Sequence, residues 1–465
     1  MIQVFNHYIP RRLIVLAVLE ALVLLMAAYI GISMDIAESG LAHSGTVVAV
    51  TSQAGVFALC MLVVMSSMGL YQTDFWEGGQ SIRARLLITF LLCVAVIGLA
   101  AYFMPFYYQR PFVLGASIVV SGLLGSFLVR SAFHKWHDIV VVKPRVLVLG
   151  TGSRVMKLAE SAVRNPNHEV VGYVSLQLSK HYIPMQKILS LAPDESLLTL
   201  VKKHAIDQIV VGVRERRSGG FPVQQLLECK MKGVKVVEVS TFFEREYRQV
   251  LLESLNPSWM VLGDGFRQGY FGNLAKRIFD LVVSAALLVL TLPIMLVTAL
   301  CIFLESGQPL FYRQERVGQG GRVFTLYKFR SMRIDAESGG TPHWAKTNDD
   351  RTTRVGRFIR KYRIDELPQI FNVFSGEMSF VGPRPERPFF VDQLTNQIPF
   401  YALRHSTKPG ITGWAQVRYP YGASVDDAIE KLQYDLYYVK NHSVFLDLTI
   451  LISTVEVVLW GKGAR

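Results

Sequence analysis

Residues 276–304 read KRIFDLVVSAALLVLTLPIMLVTALCIFL. The stretch is long and apolar enough to cross a bilayer as helix, yet Pro293 sits near its middle. Basic residues bound it on both sides, Lys276 and Arg277 before it and Arg313 and Arg316 after it. A complete crossing would place everything C-terminal of it on the opposite side of the membrane from the domain that precedes it. A proline-broken re-entrant helix, entering and leaving on one face, accounts for both the break and the flanking charge. The alternative is a kinked helix that spans.

Upstream, apolar runs near 12–32, 46–70, 86–108 and 112–132 predict a four-helix transmembrane bundle over residues 1–140. Arg11, Arg12, Arg83, Arg85, Arg130, Lys135, Lys143 and Arg145 flank one side, whereas the expected loop 33–45 carries Asp35 and Glu38 and no Lys or Arg. The positive-inside rule therefore places both ends of the bundle in the cytoplasm. The first run is too long for a signal peptide and lacks a small-residue cleavage site, so a retained anchor is expected. Glu20 lies within it and reads either as a functional intramembrane acid or as a residue paired inside the bundle.

From about residue 144 the pattern changes. RVLVLG (145–150), EVVGYVS (169–175), DQIVVGV (207–213) and VKVVEVS (234–240) alternate with helix-like stretches, which predicts a Rossmann-like α/β domain over 141–262 with a parallel sheet. Gly150 and Gly152 match the first two glycines of a dinucleotide fingerprint, but Val155 stands at the third and no clean ribose-binding acid follows. A tight strand-to-helix turn without a nucleotide explains them equally well.

The chain has 465 residues, 51% hydrophobic and only 18% charged, with a mean hydropathy of +0.30. That low charge points to membrane-embedded segments. The net charge of +13 fits anionic lipid or phosphorylated substrates, and no zinc-finger, RRM or homeodomain pattern supports nucleic acid. Cys60, Cys93, Cys229 and Cys301 form no CxxC pair and read as reduced packing residues.

In the remaining segment, 263–465, residues 361–386 read KYRIDELPQIFNVFSGEMSFVGPRPE. Adjacent carboxylates Asp365 and Glu366 suit metal-assisted phosphate chemistry, in which one acid attacks phosphorus and a neighbour helps hold a divalent ion. Both could instead cap a helix whose first turn contains Pro368. Arg384, between Pro383 and Pro385, has little backbone freedom and suits a bidentate grip on phosphate. Arg351, Arg354, Arg357, Arg360 and Arg363 recur every third residue, too tight a step for one helix face, so those nearest Asp365 are the candidates to line a site. Residues 444–460 are apolar but interrupted by Asp447 and Glu456, which fits an interfacial helix or a buried one.

These pieces together resemble the bacterial polyprenyl-phosphate hexose-1-phosphate transferases, the monotopic phosphoglycosyl transferases. The residues that carry the resemblance are Lys276-Arg277 with Asp280, Pro293, ERVG (315–318), LYKFRSM (326–332), DELPQIFNV (365–373), MSFVGPRPE (378–386), KPGITGWAQV (408–417) and YDLYYVKN (434–441). The bundle and α/β domain are similar to those of the large members, which initiate exopolysaccharide, capsule or O-antigen assembly. Leu292 stands where the family often has serine before the hairpin proline.

The resemblance implies a membrane protein of α plus α/β class with a monotopic catalytic domain over 263–465. It implies transfer of a sugar 1-phosphate from a UDP-sugar to polyprenyl (undecaprenyl) phosphate at the cytoplasmic face of the bacterial inner membrane, releasing UMP. Asp365 is then the nucleophile, and Glu366 with Asp365 the ligands of Mg²⁺. Arg360, Arg384, Lys328 and Arg357 are the expected phosphate-binding residues, and Pro293 the hairpin break. Membrane lipid is an expected partner, and a homodimer is compatible with the family. Two other readings stay open: direct displacement with Asp365 as base, and a membrane-anchored nucleotide-binding sensor or scaffold without transferase activity. The second leaves DELPQ and GPRPE without a role. No Tyr-x-x-x-Lys pair follows Gly150, which disfavours a nucleotide-sugar epimerase.

Overall fold

A computed structural model describes residues 2–4, 7–39, 46–71, 88–89, 92–93, 111–140, 143–162, 168–176, 182–189, 196–213, 221–255, 265–266, 269–333, 351–419, 422 and 424–459. The chain forms two compact units. The first comprises Met1–Ile139, Gln268–Ala428 and Asn441–Arg465, and the second Val140–Arg267 and Ile429–Lys440.

The first unit begins with an antiparallel hairpin, β1 (Ile2–Val4) and β2 (His7–Ile9). Helices α1 (Arg11–Ser39), α2 (Thr46–Ser67) and α3 (Pro111–Val140) follow. Helix α1 continues past its apolar run through residues 33–39, where a loop was expected; Asp35 and Glu38 belong to its last turns. Neither Gly nor Pro interrupts residues 32–39, so nothing stops the helix before Gly40. By length and composition, Arg11–Met34, Val50–Ser67 and Tyr270–Ser306 can each cross a membrane, and Ile118–Phe133 is a shorter apolar stretch. The chain is thus membrane-associated. Of the run 86–108 only residues 88–89 and 92–93 are described, so the helix expected there lies outside the described residues.

Leu24, Ala28, Ala54, Ala58, Met61, Met65 and Val119 bury the interior of these helices, while Leu22, Met26, Ile30, Leu59 and Leu128 stay exposed, as a lipid-facing surface requires. Glu20 is paired. It is fully buried, and Arg130 meets it with Nε at 2.5 Å from Oε1 and Nη2 at 3.0 Å from Oε2. Arg130 Nη1 donates to Leu70 O, and the Tyr71 hydroxyl to Glu20 Oε2. Removing one member of a satisfied buried pair strands the other charge and costs about 3–5 kcal/mol. Glu20→Leu should therefore lower the thermal midpoint in detergent clearly, and adding Arg130→Met should restore most of it; an unshifted midpoint for Glu20→Leu would contradict this role.

The second unit holds β3 (Arg145–Leu149), α4 (Ser153–Ala162), β4 (Glu169–Val174), β5 (Ile188–Leu189), α5 (Leu197–Lys203), β6 (Gln208–Val211), α6 (Val223–Met231), β7 (Lys235–Glu238) and α7 (Val239–Tyr247). The strands are all parallel in the order β5-β4-β3-β6-β7. Leu147, Leu149, Ile209 and Val211 pack with Leu197, Leu200 and Leu226 on one face; Val146, Val148 and Val210 pack with Val155, Leu158, Phe242 and Phe243 on the other. Burial on both faces explains the unbroken apolar runs. Val155 is fully buried, and room for it comes from the residue just after β6: a Cβ on Gly212 would lie 2.3 Å from Val155 Cγ2. The close strand-to-helix approach of the fingerprint is achieved here by a glycine at the end of the neighbouring strand.

The rest of the first unit runs through α8 (Tyr270–Ser306), the antiparallel pair β8 (Phe311–Val317) and β9 (Val323–Phe329), α9 (Arg354–Lys361), α10 (Ile370–Ser375), β10 (Ser379–Val381), α11 (Pro388–Gln397), β11 (Gly410–Thr412) and α12 (Trp414–Arg418). It ends on α13 (Val425–Asn441), part of which belongs to the second unit, and α14 (Val444–Leu459). Helix α8 contains Pro293 and buries one stripe, Asp280, Ser284, Met295, Thr298 and Ile302; Val282, Val289, Leu290, Leu296 and Leu304 on other faces are exposed. Met295 and Ile302 join Phe329 and Ile359 in one apolar cluster. Glu305 accepts from Arg354 N and Val355 N, and Thr353 caps α9 at Gly356 N. Helix α14 buries Leu446, Asp447 and Ile450 completely, while Leu448 and Val455 are exposed.

Candidate active site

The dyad sits in a 3₁₀ turn, Ile364–Gln369, that continues directly into α10. Arg363 precedes it in a left-handed conformation (φ 58°), an unusual state for a non-glycine residue that reorients the chain after α9. Asp365 and Glu366 are 8% and 7% exposed. Neither caps the turn, so capping does not explain them.

Glu366 Oε1 is the hub. Lys328 Nζ on β9 donates to it at 2.9 Å, Arg384 Nη2 donates at 2.9 Å, and Arg363 Nη1 lies 3.5 Å away. Burial alone would raise the Glu366 pKa, but Lys328, Arg384 and Arg363 together override it and hold the group well below the usual carboxylate range. Asp365 goes the other way. Burial pushes its pKa up and charged Glu366 adds to that, against the pull of Lys328, Arg363 and Arg360. The two neighbours are thus pushed in opposite directions: the surrounding cations favour the charged form of Glu366, and burial favours the neutral form of Asp365. Asp365 Oδ1 is buried without a hydrogen-bond partner. Burial also lowers the Lys328 pKa, with Glu366 opposing.

Arg384 owes its position to the backbone around it. Gly382 N donates to Thr412 O, and Gly410 N to Pro383 O, so the GPRP segment extends the parallel pair β10–β11. The two chains touch because both positions are glycine: a Cβ on Gly410 would lie 2.1 Å from Gly382 N. Behind the segment, Arg404 Nη2 donates to Arg384 O at 3.0 Å and Arg316 Nη1 to Pro385 O at 2.9 Å. Lys276 Nζ reaches Asp447 Oδ2 at 2.6 Å and Val381 O at 3.2 Å, and Asp280 Oδ1 accepts from Ser379 Oγ and Phe380 N. On the other side, Asn372 accepts from Tyr327 N and donates to Thr325 O, which fixes the strand carrying Lys328 to α10.

Of the residues singled out from sequence, Asp365, Glu366, Lys328 and Arg384 form one cluster, and Arg360 is near enough to act electrostatically on Asp365. Arg357 does not join. It is exposed on α9 and gives the dyad no hydrogen bond or ion pair among the described residues, because Gly356 and Ile359 occupy the face turned inward. Arg316, Arg404, Asn372 and Asp447 support the cluster without having been selected; ERVG was visible as a motif, but nothing local marked Arg404 or Asp447 as a partner.

The family described as bacterial sugar transferase matches residues 271–461, the stretch that contains every one of these side chains. Among characterised relatives, the UDP-N-acetylgalactosamine-undecaprenyl-phosphate N-acetylgalactosaminephosphotransferase of Aeromonas hydrophila is 38% identical over 302 residues, 65% of this chain and 69% of the relative. The UDP-glucose:undecaprenyl-phosphate glucose-1-phosphate transferase of Xanthomonas campestris pv. campestris is 34% identical over 333 residues, 69% and 67% of the two chains. That of Klebsiella pneumoniae is 32% identical over 419 residues, 86% and 87%. The chain therefore belongs to the bacterial sugar transferases.

Proposed function

We propose that this chain transfers a sugar 1-phosphate from a UDP-sugar to undecaprenyl phosphate, releasing UMP, as the first membrane step of assembling a glycan such as an exopolysaccharide. The observation that carries the reading is the split dyad, one carboxylate held ionised by cations beside another with an orphaned oxygen. Relatives that act on UDP-glucose and UDP-N-acetylgalactosamine support the donor and acceptor classes.

In this account Asp365, as carboxylate, attacks the phosphorus bearing the sugar. The bond to the UMP oxygen breaks, UMP leaves, and an aspartyl phosphosugar remains. The phosphate of the lipid acceptor then attacks the same phosphorus and returns the carboxylate, a ping-pong sequence. Lys328, Arg384 and Arg360 stabilise the charge on the transferring group. Four cations around two carboxylates leave a divalent ion poorly held by protein alone, but Mg²⁺ characteristically binds one or two carboxylates together with substrate phosphates. Glu366 and Asp365, with its orphaned Oδ1, fit that pattern, and the ion would supply charge neutralisation between nucleophile and diphosphate.

Pro293 lies inside α8 and removes one of its i→i−4 hydrogen bonds, which supports a bend there. A re-entrant α8 keeps the dyad at the depth of the acceptor's phosphate, and positive-inside charge puts that face in the cytoplasm of a bacterial inner membrane.

Membranes containing the chain, given undecaprenyl phosphate, Mg²⁺ and a panel of UDP-sugars, should release UMP with at least one donor; nucleotide binding without UMP would favour a sensor instead. Transfer should also fail on the acid side above the ordinary aspartate value of about 3.9. The sign follows from the nucleophile: Asp365 attacks only when ionised, and its pKa is raised, so activity is complete above that raised pKa and is lost as pH falls through it. A pH profile of kcat/KM whose acid limb lies at or below the ordinary value would count against Asp365.

A further inference from the structure

Two cations near the start of α8 form no direct ion pair with a carboxylate among the described residues. Arg277 donates to two carbonyls, Val373 O at 2.6 Å and Phe374 O at 2.9 Å, and makes no ion pair among the described residues. Lys408 is half-buried and makes neither a hydrogen bond nor an ion pair among the described residues. Both side chains converge on one gap. A Cβ built on Gly376 would lie 3.6 Å from Lys408 Nζ and 3.7 Å from Arg277 Nη2, its nearest neighbours. Gly376 has φ +84°, ending α10 in the left-handed conformation that favours glycine, and its missing side chain leaves the gap open.

The charges nearby do not settle this gap. Lys276 bonds to Asp447 and Val381 and stands 3.9 Å from Asp280 Oδ1, which also accepts from Ser379 and Phe380. Burial lowers the Lys408 pKa, the like charges of Arg277 and Lys276 add to that, and Asp280 opposes it. Guanidinium and ammonium donors converging on one point suit a tetrahedral oxyanion.

We infer that the gap bounded by Arg277, Gly376 and Lys408 binds a phosphate group, separate from the phosphate handled at Asp365. The helical path from Asp365 to Gly376 rises on the order of 15–20 Å, beyond the reach of one diphosphate. Its phosphate comes either from a lipid headgroup or from solution. Exposed Tyr270 and Phe271 beside Lys276 and Arg277 form the aromatic and basic fringe of a bilayer interface, the depth of lipid phosphates.

The test uses the full chain in dodecyl maltoside and reads the thermal midpoint. One arm titrates inorganic phosphate against chloride, and the other adds phosphatidylglycerol against phosphatidylcholine. A rise with inorganic phosphate assigns a soluble anion, and a rise with phosphatidylglycerol alone assigns a lipid headgroup; either supports the site if it depends on Lys408. Lys408→Gln should weaken half-saturation about tenfold or more, and Lys408→Glu, which places a carboxylate beside Arg277, should remove the shift. Since the Lys408 side chain makes no hydrogen bond or ion pair among the described residues, neither change should impair folding. Asp365→Asn should keep the full shift, so failure of the transfer reaction leaves this test standing. No shift in the native chain, or an equal shift in Lys408→Gln, would overturn the inference.

Discussion

Asp365→Asn is expected to abolish UMP release from UDP-sugar and undecaprenyl phosphate, with a loss of about 10⁴-fold or more, the scale seen when a nucleophile is removed from a preorganised site. The substitution is nearly isosteric and breaks no hydrogen bond at Oδ1, which has none. Because burial disfavours the charged form of Asp365, a neutral amide there should leave the thermal midpoint unchanged or raise it. Activity and stability should thus separate. Substantial turnover in Asp365→Asn, or a loss of activity that tracks unfolding, would remove Asp365 as nucleophile.

Glu366→Gln should damage both properties. The carboxylate lies among Lys328, Arg384 and Arg363, and its removal leaves Lys328 and Arg384 facing an uncharged amide in a buried site. Stranding buried charges costs about 3–5 kcal/mol, so the midpoint should fall by several degrees. Transfer should drop by about 10²-fold or more as the preorganised cations lose their counter-charge. The acid limb of the remaining activity should move to lower pH, because the neighbouring charge that raises Asp365 is gone. A double-mutant cycle with Arg384→Gln should show strong coupling. Independent, additive losses would mean that the 2.9 Å contact between Arg384 and Glu366 carries little energy.

Which parts of this site were legible in the sequence follows from distance along the chain. Asp365, Glu366 and the GPRP turn lie within 21 residues and carry their own signatures, charge adjacency and fixed proline geometry. Lys328 was reachable only through its motif, since 38 residues separate it from Glu366. Asp447 looked like a flaw in an apolar helix; its reason is Lys276, 171 residues away. Arg404 likewise acts on the carbonyl of a residue 20 positions back, and no periodicity encodes that. The arginine series shows the opposite problem, a visible pattern with little meaning. Its three-residue step puts Arg357 on the exposed face of α9 while Arg363 reaches Glu366 only because the chain turns left-handed there.

The α/β unit was legible for a simple reason: parallel strands buried on both faces read as apolar runs, and all four quoted runs became strands. Its Gly150 turn shows where motif reading stops. The sequence has Val155 at the third position of the fingerprint, and only the packing of Val155 against Gly212, just after β6, shows how the fold accommodates it. Helix α1 ran longer than its apolar stretch because helix propensity, not hydropathy, decides where a helix ends.

The central claim is that Asp365 carries the sugar phosphate between donor and acceptor. Intact-mass measurement of the purified chain, incubated with Mg²⁺ and the UDP-sugar that supports UMP release but without lipid acceptor, tests it directly. The account predicts a mass gain of one phosphosugar, absent in Asp365→Asn and discharged when undecaprenyl phosphate is added; no adduct on the native chain, or the same adduct on Asp365→Asn, would contradict it.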